Sequence, residues 1–253
     1  MNRLLISMDV EEFDIPEEFG DTVSPGEKLS VSHAGLLRAL ELFDKYQVRA
    51  TFFITAYWAQ QYPALVKQLA EKHEIASHLF YHSSFEEGDM ERSRLELERI
   101  SGQPVKGFRM PRLRPVNMVE LKQAGYTYDA SLNPTWLPGR YNHLDKPRVP
   151  FMKELWVMPS SVSPLCRYPV FWLSVKNMPL WVTRYFCNRI MAKDKLLTFY
   201  FHPWELCDLQ KYQLPGYIRY TSGDHMYKRM DGFLAYLQQK GTFVSHSDYL
   251  ATL

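Results

Sequence analysis

A small set of side chains in this sequence could do chemistry together. Asp9 and Glu11 stand two apart, so in an extended segment both carboxylates face the same side. His78 and His82 are spaced four apart. On a helical turn that spacing puts two imidazoles on one face, suited to grip one metal ion. Two imidazoles and one carboxylate supply three metal ligands and leave a position open for water. A second carboxylate can act as a base, a separate histidine such as His202 as an acid, and an arginine such as Arg109 can hold the base ionised and aimed. Such an inventory fits hydrolysis of an amide or an ester. Taken singly, each residue has a plainer reading. The histidines can be ordinary hydrogen-bonded side chains, EEFDIPEE a solvated acidic turn, Arg109 a surface ion-pair partner, His202 a core histidine and Asp129 a turn cap.

The elements that must position these groups alternate between short apolar runs and longer amphipathic segments. Strands are expected over residues 3–8, 50–54, 74–77, 105–109, 126–129, 154–158 and 196–201, with a last one near 242–245. Helices are expected from Ser30 or Ser32 to about Tyr46, from Pro63 to about Lys72, over 86–100 with Gly102 as a stop, over 116–124, and over 223–240. Repeated β-then-α alternation implies parallel strands with crossover helices. The expectation is an α/β fold, a distorted (β/α) barrel of seven or eight parallel strands, forming a single domain over 1–253. The stretch 132–179 is irregular, rich in proline and aromatics, and reads as an excursion from the barrel. In such barrels function sits at the C-terminal ends of the strands. Asp9, His78, Arg109, Asp129 and His202 each follow or end a different expected strand, so they should meet on one rim.

With these residues in view, the sequence resembles the polysaccharide deacetylase family, the metal-dependent carbohydrate esterases. MDVEEF looks like the first acidic motif, HEIASHLFYHSSF like the histidine motif, GFRMP like the third, AGYTYDASLNP like the stretch after it, and TFYFHPWE like the last. ATFFI and GQPVKGFR add likeness to a bacterial branch found with exopolysaccharide loci. The resemblance implies a distorted barrel in which Asp9 is the general base and Glu11, His78 and His82 bind one divalent metal, zinc first, with cobalt, nickel or manganese as alternatives. It implies that Arg109 orients Asp9 and that His202 is the general acid, tuned by Asp129. The backbone N–H of Arg112 would bind the oxyanion, with Pro111 and Trp204 beside the substrate. The implied activity is removal of an N-acetyl or O-acetyl group from a sugar in a polysaccharide or glycan precursor. Four positions depart from the family pattern. Leu79 stands where glycine is usual, Glu11 where aspartate is usual, and Arg112 with Arg114 where smaller or aromatic residues are usual. Two cations there would suit an anionic substrate carrying phosphate or a uronate.

Composition sets the outer bounds. The chain has 253 residues with 46% hydrophobic and 23% charged, which excludes a disordered, collagen-like or coiled-coil protein. Lys+Arg 30 against Asp+Glu 28 leaves a net charge of +2, too small a field to argue for nucleic acid. The N-terminal apolar run is too short for an export signal. Cys166, Cys187 and Cys207 form no metal or disulfide pattern. These features suggest a cytoplasmic enzyme acting on a precursor. The aromatic and basic segment 164–189 suits either a sugar cleft or peripheral contact with the inner face of a membrane. The competing readings are a hydrolase of non-sugar amides such as cyclic ureides, a catalytically silent glycan-binding barrel, and a structural subunit of a polysaccharide assembly.

Overall fold

The computed structural model describes every residue from Met1 to Leu253. Its spine is β1 (Asn2–Val10), buried from Leu4 onward. Leu4, Ile6, Met8 and Val10 join the large apolar core under the helices, while Leu5 enters a small separate core with Phe53, Ala76, Tyr128, Ala130, Met158 and Leu196. By the two-residue period of a strand, Ser7 and Asp9 share the face of Leu5, the concave interior of the curled sheet.

The helix α1 (Pro25–Tyr46) starts earlier than its apolar periodicity suggests. Ser24 caps it by accepting the N–H of Glu27 at 3.3 Å, and Pro25 suits a first turn. β2 (Ala50–Ile54) has its expected limits. The short α2 (Ala56–Gln61), capped by Thr55, was not anticipated, and α3 (Pro63–Ala70) follows it. β3 (Glu74–Ser77) also has its expected limits. α4 (Asp89–Ser101) ends at Gly102 in the left-handed region, φ +74. β4 (Gly107–Phe108), α5 (Met118–Gln123) and β5 (Tyr128–Asp129) are shorter than expected.

The stretch 132–179 is ordered by short antiparallel pieces. β6 (Trp136–Leu137) and β7 (Tyr141–Asn142) make a hairpin, and β8 (Phe151–Met152) pairs with β9 (Trp156–Val157) before α6 (Trp172–Asn177). α7 (Leu180–Asp194) leads into β10 (Leu196–Phe201). The chain closes with α8 (Gly216–Arg219), α9 (Asp224–Gln238), β11 (Gly241–Phe243) and α10 (His246–Leu250).

The main sheet runs β10-β1-β2-β3-β4-β5-β9-β8, with β11 beside the start of β1. Every ladder is parallel except β8 with β9. The expectation of a barrel therefore needs a correction: the sheet is curled and partly open, with an antiparallel end strand. No ladder joins β9 to β10. The gap is crossed only around Ser161, whose N–H donates to the Thr198 carbonyl (3.1 Å) and whose hydroxyl accepts the Thr198 N–H (2.8 Å). Prolines and the two-residue strands leave too little regular backbone there for a continuous ladder. No helix is long and apolar enough to cross a membrane.

One glycine fixes the position of a functional loop. A Cβ on Gly35, within α1, would lie 1.9 Å from the carbonyl oxygen of Pro203. Only a residue without a side chain lets α1 seat the turn that follows β10.

Candidate active site

The strand ends converge as expected. Asp9 is the last residue but one of β1 with Glu11 just beyond the strand, His78 follows β3, Arg109 follows β4 and His202 follows β10. Asp9, Glu11, His78, His82 and His202 line one cleft of about 260 Å³, walled by Phe171, Trp172, Tyr200 and Trp204.

The histidines reach this cleft by a route different from the one their spacing suggests. Residues 78–88 form no helix. The loop turns instead at Leu79, which holds φ +70 while its side chain is buried. A left-handed conformation at a bulky residue is costly. The Ser77 hydroxyl accepts the Leu79 N–H (3.1 Å), and the Leu79 and Phe80 carbonyls receive the first N–H groups of α2. The result is two imidazoles 5.6 Å apart and nearly parallel.

Each metal-ligating candidate has its second polar atom occupied by the protein. Glu11 Oε1 accepts the indole N–H of Trp204 (3.1 Å). His78 Nδ1 lies 2.8 Å from the Arg109 carbonyl, which can only accept. His82 Nδ1 lies 2.7 Å from the Asp14 carboxylate. The atoms left over are Glu11 Oε2, His78 Nε2 and His82 Nε2, with Oε2 3.0 Å from each nitrogen. All donors of the triad lie within 4.8 Å of one another, and all three residues are buried. This is the arrangement in which outer partners fix tautomer and orientation for a cation. The residues fit a divalent metal, and the three of them leave room for a further ligand.

The electrostatics agree with that fit. Burial works against a charge on Glu11, but His82, His202 and the bond from His78 outweigh it and hold the carboxyl well below its usual range. Burial likewise opposes charge on His82, yet Glu11 and Asp14 raise it to about 10.

Asp9 is held from beneath. Arg109 is fully buried, and its guanidinium donates to Asp9, to the Ser7 hydroxyl (3.0 Å) and to the Ala130 carbonyl (3.1 Å). It also lies over the Phe53 ring at 4.0 Å and the Tyr200 ring at 5.0 Å. The other oxygen of Asp9 is 4.0 Å from His202 Nε2. His202 stacks on Trp204 (4.8 Å, 19°) and meets the Trp172 ring edge-on.

The resemblance implies that Asp129 tunes His202; the carboxylate in contact with the His202 ring is that of Glu205. Glu205 Oε1 accepts both the His202 backbone N–H (2.9 Å) and faces its Nδ1 (3.1 Å). Glu205 Oε2 is 3.6 Å from the ammonium of Lys176, and both side chains are wholly buried. Burial disfavours the imidazolium, but Glu11, Glu205 and Asp9 raise the pKa of His202. Asp129 instead accepts the N–H and hydroxyl of Ser131. Burial pushes its carboxyl up to about 6, against the smaller effect of Ser131 and Arg109.

Arg112 lines the cleft but its side chain turns away, to Glu18, Asp14 and the His82 carbonyl. Arg112 and Leu113 both have positive φ, +58 and +51, so the turn after Arg109 is strained. Pro111 is buried behind it. Reasoning from sequence missed Asp14, Glu205 and Lys176. Glu205 lies three residues after His202, and Asp14 three after Glu11. Lys176 carries no local signal, since it reaches Glu205 only through tertiary packing. In the aromatic segment 164–189, Phe171 and Trp172 are buried in the cleft wall, whereas Trp181 and Tyr185 are exposed on α7.

A polysaccharide deacetylase family model matches residues 33–129. That segment contains His78, His82, Arg109 and Asp129, while Asp9, Glu11 and His202 lie outside it. Solved structures with the same fold include a protein from Mycobacterium smegmatis described as a polysaccharide deacetylase (18% identity, TM-score 0.65, covering 98% of this chain and 88% of that one). A Pseudomonas aeruginosa PAO1 protein similarly described has 19% identity and a TM-score of 0.65, covering 97% of this chain and 88% of the other. PuuE allantoinase shares the fold at 17% identity and a TM-score of 0.64, with coverages of 97% and 88%. A search of curated proteins finds no match. The fold and the Glu-His-His triad support metal-dependent hydrolysis of an amide or acetyl group. The names on these neighbours span more than one substrate, so the fold alone does not choose it.

Proposed function

We propose that this protein is a metal-dependent deacetylase that removes the acetyl group from an N-acetylated sugar in a glycan or its precursor. The observation that carries the reading is the convergence of a metal-ligating triad, an arginine-held carboxylate and a glutamate-paired histidine in one aromatic-walled cleft. Glu11, His78 and His82 would hold the metal, and two imidazoles with one carboxylate suit zinc, cobalt or nickel. When bound, such a cation lowers the pKa of water and polarises the acetyl carbonyl.

The chain's own residues supply the remaining roles. Arg109 fixes Asp9 in one orientation, with one carboxylate oxygen free in the cleft to take a proton from water. His202, whose pKa Glu11, Glu205 and Asp9 raise against its burial, would give its proton to the departing nitrogen. General acid help of this kind is typically worth about 10²–10⁴-fold. The strained turn at Arg112 would present a backbone N–H to the developing oxyanion, a contribution of about 3–4 kcal/mol for a well-placed donor. Trp172, Tyr200 and Trp204 give the apolar faces on which a sugar ring packs.

The test is acetate release from N-acetylated oligosaccharides by zinc-loaded protein, with Asp9→Asn and allantoin as controls. The expected result is release by the wild type, a loss of at least about 10³-fold in Asp9→Asn with metal retained, and no turnover of allantoin. Turnover of allantoin without acetate release would favour the cyclic-amide reading. Near wild-type release by Asp9→Asn would remove Asp9 as the base.

A further inference from the structure

We propose that the cavity next to the metal cleft is a subsite for an anionic group, a carboxylate or phosphate, carried by the unit beside the acetylated sugar. This identity of the occupant rests on the deacetylase reading above. The cavity has a volume of about 490 Å³, within the range that takes a small ligand. It shares Arg112, Leu113, Arg140 and Tyr141 with the metal cleft, so the two lie side by side along a common wall.

Its lining carries an excess of positive charge. The chain as a whole is nearly neutral, at +2. Arg112, Arg114, Arg140, Lys146 and Lys153 nevertheless line this one cavity, against a single carboxylate, Asp129. Asp129 already accepts from Ser131 and is buried. Arg112 is neutralised by Asp14 and Glu18, Arg140 is near Glu18, and Lys146 pairs with Asp145. Arg114 and Lys153 make no side-chain hydrogen bond or ion pair within the protein. Arg114 comes from the turn after β4 and Lys153 from the loop between β8 and β9; both are exposed to solvent and line the same space. Two cations without partners at a shared cavity are what an oxyanion needs. Between the cavity and the cleft stands Tyr141, stacked on His143 at 4.7 Å and 9°, a flat surface on which the linking sugar can lie.

The proposal is tested by calorimetry on the zinc-loaded full chain, wild type and Arg114→Gln/Lys153→Gln. Neither residue belongs to the catalytic set. The probes are neutral chitohexaose, a hyaluronan hexasaccharide carrying glucuronate, and UDP-N-acetylglucosamine carrying phosphate. The expected result is that at least one anionic probe binds about tenfold or more tightly than chitohexaose, and that probe identifies carboxylate or phosphate. In the double variant the preference falls about 10–100-fold, the loss of one or two charge-assisted contacts. Chitohexaose affinity and zinc stoichiometry stay within about twofold. Equal affinity for neutral and anionic probes, binding of none of them, or equal losses for all in the variant would overturn the subsite. Acetate release is read separately. An anionic preference without acetate release removes the deacetylase reading and leaves the subsite, and acetate release without that preference does the reverse.

Discussion

Replacing Glu205 with glutamine removes one charge from the pair behind His202 and leaves its shape in place. The glutamine oxygen can still accept from the His202 backbone N–H and from Nδ1, which lie 2.9 and 3.1 Å from the present Oε1. The negative charge is lost. At 3.1 Å and an effective dielectric of about 20, a unit charge pair is worth about 5 kcal/mol. Lys176, 3.6 Å from the other carboxylate oxygen, and the burial of all three groups take back most of this. A remainder of about 1.4–3 kcal/mol corresponds to a His202 pKa lower by about 1–2. His202 acts as an acid, so the alkaline limb of kcat/KM marks its loss of a proton. In Glu205→Gln that limb should move about 1–2 pH units lower. Above the limb kcat/KM should fall about 10–100-fold, and well below it the change should stay within about twofold. Lys176→Met leaves Glu205 unopposed and should move the limb the other way. It also frees the Ile218 and Thr221 carbonyls and costs about 3–5 kcal/mol of stability. The assay is acetate release across pH with the metal site saturated. An unmoved limb in Glu205→Gln, or a loss equal at every pH, would refute the pairing as the source of acidity.

Asp129→Asn should stabilise the protein at neutral pH. Its carboxyl sits at about 6 in the fold against about 3.8 in the unfolded chain. A raised carboxyl disfavours folding once ionised, so the penalty is absent below pH 4, grows between 4 and 6, and reaches about 2–3 kcal/mol above 6. Denaturant titrations at pH 3.5 and 8 should show a gain only at the higher pH. Asp14→Asn should weaken zinc about 10–100-fold by loosening His82 while the fold persists, as read by calorimetry and circular dichroism. At Leu79 the usual order of substitutions should fail. Leu79→Ala loses buried area and keeps the positive φ, about 3–5 kcal/mol in all, and Leu79→Gly should be no less stable because it relieves about 1 kcal/mol of backbone strain. A glycine variant clearly less stable than alanine would mean that the loop holds no strain.

What could be read from sequence follows the range of the forces involved. β2 and β10 are mainly apolar runs buried on both faces, and a five-residue run such as ATFFI has few alternatives; β3, Glu-Ile-Ala-Ser, is buried as well but has polar ends. Asp9, Arg109 and His202 were visible because each ends or follows such a run. β4, β5 and β9 are two residues long and held mainly by neighbours, so their ends were overestimated. The openness of the sheet depends on pairings across the stretch 132–179, which no local pattern encodes. The histidine pair was found by its spacing, but the assumed helical turn is a loop bent at Leu79, the residue whose type least suggests it. The resemblance, and no local pattern, ties Asp129 to His202, whereas the Asp129 carboxylate accepts hydrogen bonds from Ser131. Glu205 lies closer along the chain and takes that position, and Lys176 reaches it only through the packing of α6 against the turn after β10.

A metal centre at Glu11, His78 and His82 would drive the amide hydrolysis proposed for this protein. Its most direct test is titration of zinc into metal-stripped protein by calorimetry, on the wild type and on His78→Ala, with acetate release followed in the same samples. One tight site per chain in the wild type, at least about 100-fold weaker in the variant, with acetate release appearing as that site fills, is the predicted result. A wild type that binds no zinc, or a His78→Ala variant that binds and hydrolyses as well as the wild type, would contradict it.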